Sequence, residues 1–248
     1  MGAIKANLQA VSARIALAAQ RVGRDPRTVR VLAVSKTHSA AHVDEAYHAG
    51  QTAFGENYVQ EAHGKMQTLA RLPLEWHLIG PLQSNKARLA AERFAWVQSV
   101  ASERVARRLS EGRSAAQAPL NVLVQVNVSG EASKSGVEPE ALSPLAHAVA
   151  GLPRLRLRGL MAIPEPTADA ALQSERFRAV RRLYEKLVDE GLALDTLSLG
   201  MSDDLEAAIA EGSTMVRVGT AIFGPRGTRP VRSAASDAHP DGLAETHS

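Results

Sequence analysis

Three neighbouring segments read LRLRGLM at residues 155–161, FRAVRRLYEKLV at residues 177–188 and TLSL at residues 196–199. Apolar residues in the middle segment recur at intervals of three and four, with Arg and Glu on the opposite face, which predicts an amphipathic helix. The flanking segments are short and mainly apolar, as is typical of buried strands. A strand, a helix and a second strand in this order predict a parallel β-α-β unit.

The same alternation extends over most of the chain. The runs interpreted as strands are Val31–Val34, Thr52–Phe54, Trp76–Ile79, Trp96–Val100, Leu120–Val126, Leu155–Met161, Thr196–Leu199 and Met215–Val218. Eight strands separated by amphipathic helices predict one α/β domain over residues 1–225, a single (β/α)8 TIM barrel. The apolar spacing of the first 24 residues predicts an additional N-terminal helix. A doubly wound open sheet is the alternative architecture for the eight strands. Residues 226–248, rich in Pro, Gly, Ser, Asp and His, are predicted to form a disordered tail.

Composition removes several classes of function. The 248 residues contain no cysteine and carry 29 Lys plus Arg against 26 Asp plus Glu, a formal net charge of +3. The missing cysteine excludes disulfides, thiolate metal sites and a cysteine nucleophile. The even charge balance does not indicate a nucleic-acid partner, and no apolar run approaches the roughly 18 residues needed to cross a bilayer. Without such a run, we expect a cytoplasmic protein. No histidine group has metal-ligand spacing, so we expect no metal site.

Lys36 is the first candidate for chemistry, because it follows the predicted strand Val31–Val34 almost directly. Functional groups of parallel α/β folds collect at the carboxyl ends of strands. A partly desolvated lysine there has a lowered pKa, and its neutral amine can form a Schiff base with a carbonyl. A lysine whose stem runs from the strand end into water explains the position equally well.

Two glycine-containing segments, Gly200-Met201-Ser202 and Gly219-Thr220, follow the seventh and eighth predicted strands. Glycine permits close approach of the backbone to a ligand, and this place matches the usual phosphate site of such barrels. The alternative is helix capping by Ser202, with Asp203 and Asp204 complementing the helix dipole. In a phosphate site we expect both carboxylates to face away from the anion.

Arg217 lies inside the apolar strand Met215–Val218, where an unpaired cation is costly. A buried arginine in a barrel strand either meets a carboxylate or points at a ligand. An ion pair with an acid on a neighbouring strand, such as Glu56, is the structural alternative to a ligand contact.

In these residues and the motifs around them, the sequence resembles the pyridoxal phosphate homeostasis protein family, whose members are barrels that bind pyridoxal 5′-phosphate (PLP). The resemblance covers residues 4–225 in order. Its motifs are VSKT at 34–37, FGENYVQE at 54–61, WHLIG at 76–80 and on to Lys86, VNVS at 126–129 with KSG at 134–136, GLM at 159–161, LGMSDD at 199–204 and RVGTAIFG at 217–224.

The resemblance implies an alanine racemase-like barrel and PLP as the cofactor. It implies that Lys36 forms the internal aldimine, that Arg217 faces the pyridine nitrogen and that Asn57 lies near the ring. The phosphate region is implied to be held by residues after the seventh and eighth strands: Met201, Ser202, Gly219 and Thr220. Two departures, Pro81 where His is common and His38-Ser39 where Lys-Pro is common, are expected not to touch the cofactor.

The implied function is intracellular PLP (vitamin B6) homeostasis, in which the chain buffers the cofactor or delivers it to PLP-dependent apoenzymes. No residue is assigned a certain catalytic role. A low-activity amino-acid racemase is the enzymatic alternative, with Lys36 as one acid/base. A phosphate-ligand barrel without Schiff-base chemistry is the third hypothesis. We expect a monomer, because no second domain is predicted that would need a partner.

Overall fold

The computed structural model describes residues 2–128 and 135–225. Its strands form a closed parallel barrel in chain order. They are β1 Arg30–Val34, β2 Ala53–Glu56, β3 Glu75–Leu78, β4 Trp96–Val100, β5 Leu120–Gln125, β6 Leu155–Met161, β7 Thr196–Ser198 and β8 Met215–Val218. The predicted barrel is confirmed, with strand ends within two residues of those expected. The alternative prediction of an open sheet is wrong. Strand β1 pairs with β8, with Leu32 opposite Arg217, and this pairing closes the sheet into a barrel.

Helices cover the outside of the barrel. They are α1 Ala3–Arg21, α2 Ala40–His48, α3 Val59–Thr68, α4 Ala87–Arg93, α5 Glu103–Gly112, α6 Pro139–Ala150, α7 Ala170–Asp189, α8 Leu205–Ala210 and α9 Thr220–Phe223, with 3-10 turns at Pro26–Thr28 and Ser84–Lys86. Helix α7 includes the amphipathic segment at residues 177–188. It begins where the Asp169 carboxylate accepts hydrogen bonds from the backbone N–H groups of Ala171 and Leu172, and it buries Phe177 and Val180 against the sheet.

The strands alternate between two apolar environments. Ala33 belongs to the large core between the sheet and the helices, whereas its neighbours Leu32 and Val34 belong to a small cluster with Ala53 and Met215. This alternation is expected for strands whose successive side chains point to opposite faces of the sheet. The small cluster therefore fills part of the barrel interior.

The predicted N-terminal helix is α1, and it packs across the loops that follow β7 and β8. Its buried face is apolar and comprises Ile4, Leu8, Val11, Ile15, Ala18 and Ala19. Two polar side chains fasten it to those loops. Asn7 Nδ2 donates to Ile222 O at 2.9 Å, and Arg14 Nη2 donates to Ser202 O at 2.9 Å.

Some sequence expectations fall outside the described residues: the tail at 226–248, and Ser129 and Lys134 of the family motifs. Within residues 2–128 and 135–225, no helix combines the length and hydropathy needed to cross a membrane. The same ranges contain no cluster of three or more His, Asp or Glu side chains that could hold a metal ion.

Candidate functional site

A cleft of about 600 Å³ lies where the carboxyl ends of the strands meet. Every residue predicted to bind a cofactor lines it: Lys36, Asn57, Met201, Ser202, Arg217, Gly219 and Thr220. These residues come from the segments after β1, β2 and β7 and from β8 and its following turn. Residues distant in sequence thus share one cavity because parallel strands place their carboxyl ends on one face of the barrel.

The backbone around Lys36 is held on both sides by side chains of helix α3. Thr37 has a φ of +67°, a left-handed conformation that is unfavourable for a β-branched residue. Its N–H donates to Glu61 Oε1 at 2.7 Å, and Lys65 Nζ donates to Ser35 O at 2.7 Å. These two hydrogen bonds stabilise the turn that sends Lys36 into the cleft.

Behind this turn lies a buried charged cluster. Lys65 Nζ contacts Glu56 Oε1 at 2.7 Å and Glu61 Oε1 at 2.9 Å, and the hydroxyl of Ser35 donates to Glu56 Oε1 at 2.5 Å. Burial raises the pKa of the Glu56 carboxyl, while the ammonium of Lys65 and the Ser35 hydroxyl favour its ionised form. Glu56 therefore pairs with Lys65, and the expected alternative of an ion pair between Glu56 and Arg217 is wrong.

Arg217 is buried at the inner end of the cleft and is held by oxygen atoms of β7 and of the residue after β6. Its Nη1 donates to Ser198 O at 2.6 Å and to Ser198 Oγ at 2.8 Å, and its Nη2 donates to Ala162 O at 2.8 Å. Desolvation lowers the pKa of Arg217 to about 10, so the guanidinium remains charged at neutral pH. The positive charge is directed at the cleft without a carboxylate bound to it among the described residues.

The loop after β7 is shaped by Gly200, whose φ of +89° favours glycine. A Cβ atom there would lie 2.6 Å from the Ala208 Cβ, so glycine also lets the loop approach α8. Helix α8 begins at Leu205 with Asp204 as its N-cap residue, and the expected N-cap role of Ser202 is therefore wrong.

The two carboxylates of this loop behave differently from one another. Asp204 turns back and accepts a hydrogen bond from the backbone N–H of Met201, away from the cleft, as expected. Asp203 lines the cleft, which corrects the expectation that both carboxylates face away.

The loop after β8 meets the loop after β7 at the same end of the cleft. The backbone N–H of Ala221 points at Ser202 Oγ, 3.5 Å away. Helix α9 starts at Thr220, and N–H groups in a first helical turn have no acceptor within the helix. Hydroxyl and backbone N–H groups thus gather where the sequence predicts a phosphate.

Sequence reasoning missed part of the cleft wall. The additional lining residues are Val34, Ile79, Gly80, Pro81, Gln125, Ser135, Ile163, Pro164, Pro166 and Asp203. Most follow strands β3, β5 and β6, so the strand-end rule that singled out Lys36 could have found them. Pro81 was expected not to touch the cofactor shell, but it lines the cleft, whereas His38 stacks on Phe223 with ring centres 4.9 Å apart.

Comparisons with known proteins agree with this architecture. The family model described as alanine racemase, N-terminal domain, matches residues 6–227. The chain is 63% identical over 226 residues to the pyridoxal phosphate homeostasis protein of Pseudomonas aeruginosa, covering 91% of this chain and 97% of that protein. It is 54% identical over 229 residues to the protein of the same name from Escherichia coli, covering 91% and 98% of the two chains.

Among solved structures, PipY of Synechococcus elongatus with PLP bound is 40% identical, with a TM-score of 0.76, and the match covers 86% of this chain and all of PipY (100%). The present chain belongs to the alanine racemase N-terminal domain family and, within it, to the pyridoxal phosphate homeostasis proteins. The family resemblance deduced from the sequence motifs is therefore confirmed.

Proposed function

We propose that this protein binds PLP in the cleft, with Lys36 bonded to the cofactor, and that it serves intracellular PLP homeostasis by holding and releasing it. The proposal rests on the convergence of a lysine, two loops that present hydroxyl and backbone N–H groups, and a buried guanidinium in one cavity of about 600 Å³. The PLP-bound structure of the related PipY supports the same ligand.

The chemistry of the cleft fits the three functional parts of PLP. Lys36 offers the primary amine that an aldehyde requires, and Ser202, Gly219 and Thr220 offer hydroxyl and N–H donors to a phosphate. Arg217 can donate to an acceptor nitrogen in a ring. When bound, PLP supplies an aldehyde that captures amines and a ring that withdraws electrons from the captured carbon.

Arg217 also favours storage over catalysis. A guanidinium keeps its proton, so a pyridine nitrogen that accepts from Arg217 stays unprotonated. A neutral pyridine withdraws electrons less strongly than the pyridinium ring that faces a carboxylate in many PLP enzymes. The residue that orients the ring therefore slows carbanion chemistry while leaving binding intact.

The racemase alternative requires an acid/base on each face of the substrate. Among the described residues that line the cleft, the titratable side chains are Lys36, Asp203 and Arg217. Asp203 adjoins Ser202 in the loop proposed to hold phosphate, and Arg217 does not release a proton near neutrality. Tyr58 is 62% exposed and does not line the cleft, and Tyr184 lies on the outer helix α7. The cleft thus supports a carrier better than a two-base enzyme.

Borohydride reduction followed by peptide mass spectrometry tests the cofactor assignment. We expect purified protein incubated with PLP to develop a visible absorption band and, after reduction, to carry one pyridoxyl phosphate on Lys36. The Lys36→Ala variant should lose both signals, whereas Lys186→Ala, which removes an exposed lysine of α7, should keep them. A colourless protein with added PLP, or modification only at other lysines, would contradict the proposal.

Isotope exchange separates a carrier from a racemase. The PLP-loaded protein is incubated with L-alanine in deuterium oxide, and deuterium at Cα and the D-enantiomer are measured by mass spectrometry and chiral chromatography. We expect neither product above the level given by free PLP. Deuterium incorporation with inversion at enzymatic turnover rates would establish the racemase instead.

The proposal includes three further expectations from the sequence: PLP-dependent apoenzymes as recipients, a monomeric state and a cytoplasmic location. Transfer to an apoenzyme is measured as recovery of its activity on addition of the loaded protein, with free PLP trapped by a scavenging amine. Light scattering of the loaded and unloaded protein determines the oligomeric state. Activation no faster than with scavenged free PLP would contradict a delivery role.

A further inference from the structure

We propose that Ser198, Gln98 and His77 are positioning residues that form a one-way hydrogen-bond chain through the barrel and orient the Arg217 guanidinium toward the ligand. The inference rests on the proposed function for the identity of that ligand, a heteroaromatic ring with an acceptor nitrogen. The arrangement of the chain does not depend on that function, because Ser198, Gln98 and His77 are fully buried and Gln98 contacts Met215 of the apolar cluster inside the barrel. Buried polar groups require partners, and a connected set of them specifies one arrangement.

The chain starts at Arg217. Three of the five N–H groups of a guanidinium are used here, for Ser198 O, Ser198 Oγ and Ala162 O. The remaining two, on Nε and Nη2, have no acceptor among the described residues and lie on a side chain that lines the cleft. The three bonds fix the plane of the guanidinium and leave two donors for a ligand.

The second step fixes the direction of the chain. Because Ser198 Oγ accepts from Arg217, its own hydrogen can be donated onward, and Gln98 Oε1 lies 2.8 Å away. That contact makes the Gln98 oxygen the acceptor and turns its Nε2 to the other side. There, Nε2 lies 2.9 Å from His77 Nδ1 and 3.2 Å from Met215 Sδ, both of which can accept.

The third step fixes the proton on His77. Since Nδ1 accepts from Gln98, the ring hydrogen must lie on Nε2, which is 2.8 Å from Glu75 Oε1. Burial lowers the pKa of His77, in agreement with a neutral ring that stacks on Trp96 with ring centres 5.1 Å apart. Arg30 Nη2 also donates to Glu75 Oε1 at 2.6 Å. The hydrogen bonds from Arg217 through Ser198, Gln98 and His77 therefore all run in one direction and end at the Glu75 carboxylate.

This arrangement cannot invert locally. If Gln98 were flipped, its Nε2 would face Ser198 Oγ, which Arg217 already approaches with a hydrogen, and His77 would need its proton on Nδ1. The bond to Glu75 would then be lost, because the unprotonated Nε2 of buried His77 would face the carboxylate without a hydrogen between them. The Glu75 carboxylate at one end thus holds the orientation of Arg217 at the other.

The protein without added PLP gives the first readout. In ¹⁵N-histidine-labelled protein, long-range ¹⁵N–¹H spectra should identify His77 as the Nε2–H tautomer, and Gln98→Glu should convert it to the doubly protonated ring. ¹⁵N relaxation of Arg217 Nε–H should show greater mobility in Ser198→Ala but not in Ser213→Ala. Ser213 is the matched control, since it is equally buried but donates to backbone oxygens such as Leu199 O.

The loaded protein gives the second readout. With PLP labelled at the ring nitrogen, the ¹⁵N shift should change in Ser198→Ala, return toward the wild-type value in Ser198→Thr and stay constant in Ser213→Ala. An Nδ1–H tautomer of His77 would overturn the inference. So would Ser198→Ala if it left both the mobility of Arg217 and the ¹⁵N shift of the PLP ring nitrogen unchanged. If PLP does not bind, the proposed function fails, and the first readout still decides whether the chain orients Arg217.

Discussion

The two sides of the cleft are held by opposite means. On the lysine wall, formed by Ser35–Thr37 with Glu56, Glu61 and Lys65, charged side chains bind the backbone on either side of Lys36. On the arginine wall, formed by β7, β8 and their following loops, backbone carbonyl oxygens bind the charged head of Arg217. A lysine that must change its bonding state needs a fixed backbone and a movable head. An arginine that only donates hydrogen bonds needs a fixed head.

Because of this difference, substitutions in the lysine wall should reduce the stability of the fold more than substitutions in the arginine wall. Its ion pair between Lys65 and Glu56 is buried, and Glu56 Oε2 has no hydrogen-bond partner among the described residues. Breaking a buried pair by removing one partner leaves an uncompensated charge in a region of low dielectric constant. The arginine wall instead shares its cation among neutral oxygens, so the loss of one contact leaves the others in place.

The substitution Lys65→Met, in the lysine wall, should destabilise the protein most. We expect the free energy of unfolding to fall by about 3–5 kcal/mol, because Glu56 and Glu61 lose their shared cation while apolar volume is preserved. Chemical denaturation at neutral pH measures the loss, with Lys186→Met as the control, since Lys186 is 65% exposed. A loss below about 1 kcal/mol would show that the charged cluster does not hold the turn.

The pH dependence of the same variant identifies the cause. Without Lys65, the pKa of buried Glu56 should rise further above its unfolded value, so the folded state takes up a proton more readily than the unfolded state. Stability of the variant should then fall as pH rises from the unfolded pKa to the folded pKa. The deficit relative to the wild type should shrink on acidification, whereas a packing defect would give the same deficit at every pH.

Much of this site was predictable because it follows from strand ends. The predicted strand ends include Lys36 and the glycine-containing segments after β7 and β8, for which a phosphate site and helix capping both stayed open until the family resemblance implied a phosphate. The supports were not predictable. Lys65 is an ordinary helix position in sequence, and its burial follows from how α3 packs against β2, which a single sequence does not specify. Its spacing of four residues from Glu61 was the only available signal.

The direction of side chains was a second feature that the sequence alone did not predict. Ser202 and Asp203 are adjacent in sequence, so the difference between capping a helix and facing a cavity depends on where α8 begins. Helix starts are set by a balance of caps and tertiary contacts and are among the least certain features of a sequence pattern. Gln98 and Ser198 were missed for a related reason, since strand periodicity alone does not show that a polar residue faces the barrel interior.

A smaller effect is expected at Glu75 of β3, the carboxylate at which the hydrogen-bond chain from Arg217 ends. The hydrogen bond from His77 and the nearby guanidinium of Arg30 lower the pKa of Glu75 from 4.5 to about 2. Because the folded pKa lies below the unfolded one, Glu75 stabilises the fold above about pH 4.5, and this contribution is lost as pH falls toward 2. Glu75 is partly exposed, so after solvent screening the contribution is about 1 kcal/mol.

Acid titration of Glu75→Gln measures that contribution. The variant should be less stable than the wild type at pH 7 and should approach it as pH falls from about 4.5 to about 2. Glu92→Gln, which removes an exposed partner of Arg88, is the control. A stability difference that persists unchanged at pH 2 would mean that Glu75 acts through packing rather than through its charge.

We expect the smallest effect on stability from Arg14→Ala. This variant tests whether the arginine wall depends on support from α1. Arg14 is partly exposed and pairs with Glu206, so its loss should lower the free energy of unfolding by less than about 1 kcal/mol. Its Nη2 also donates to Ser202 O, and without that bond the loop proposed to hold phosphate loses a support from α1. We therefore expect faster amide hydrogen exchange around residues 201–205 and several-fold faster release of bound PLP, with Arg27→Ala, a 90% exposed arginine, as the control. Unchanged release with unchanged exchange would mean that α1 only covers the barrel, and that the arginine wall needs no support beyond its own strands.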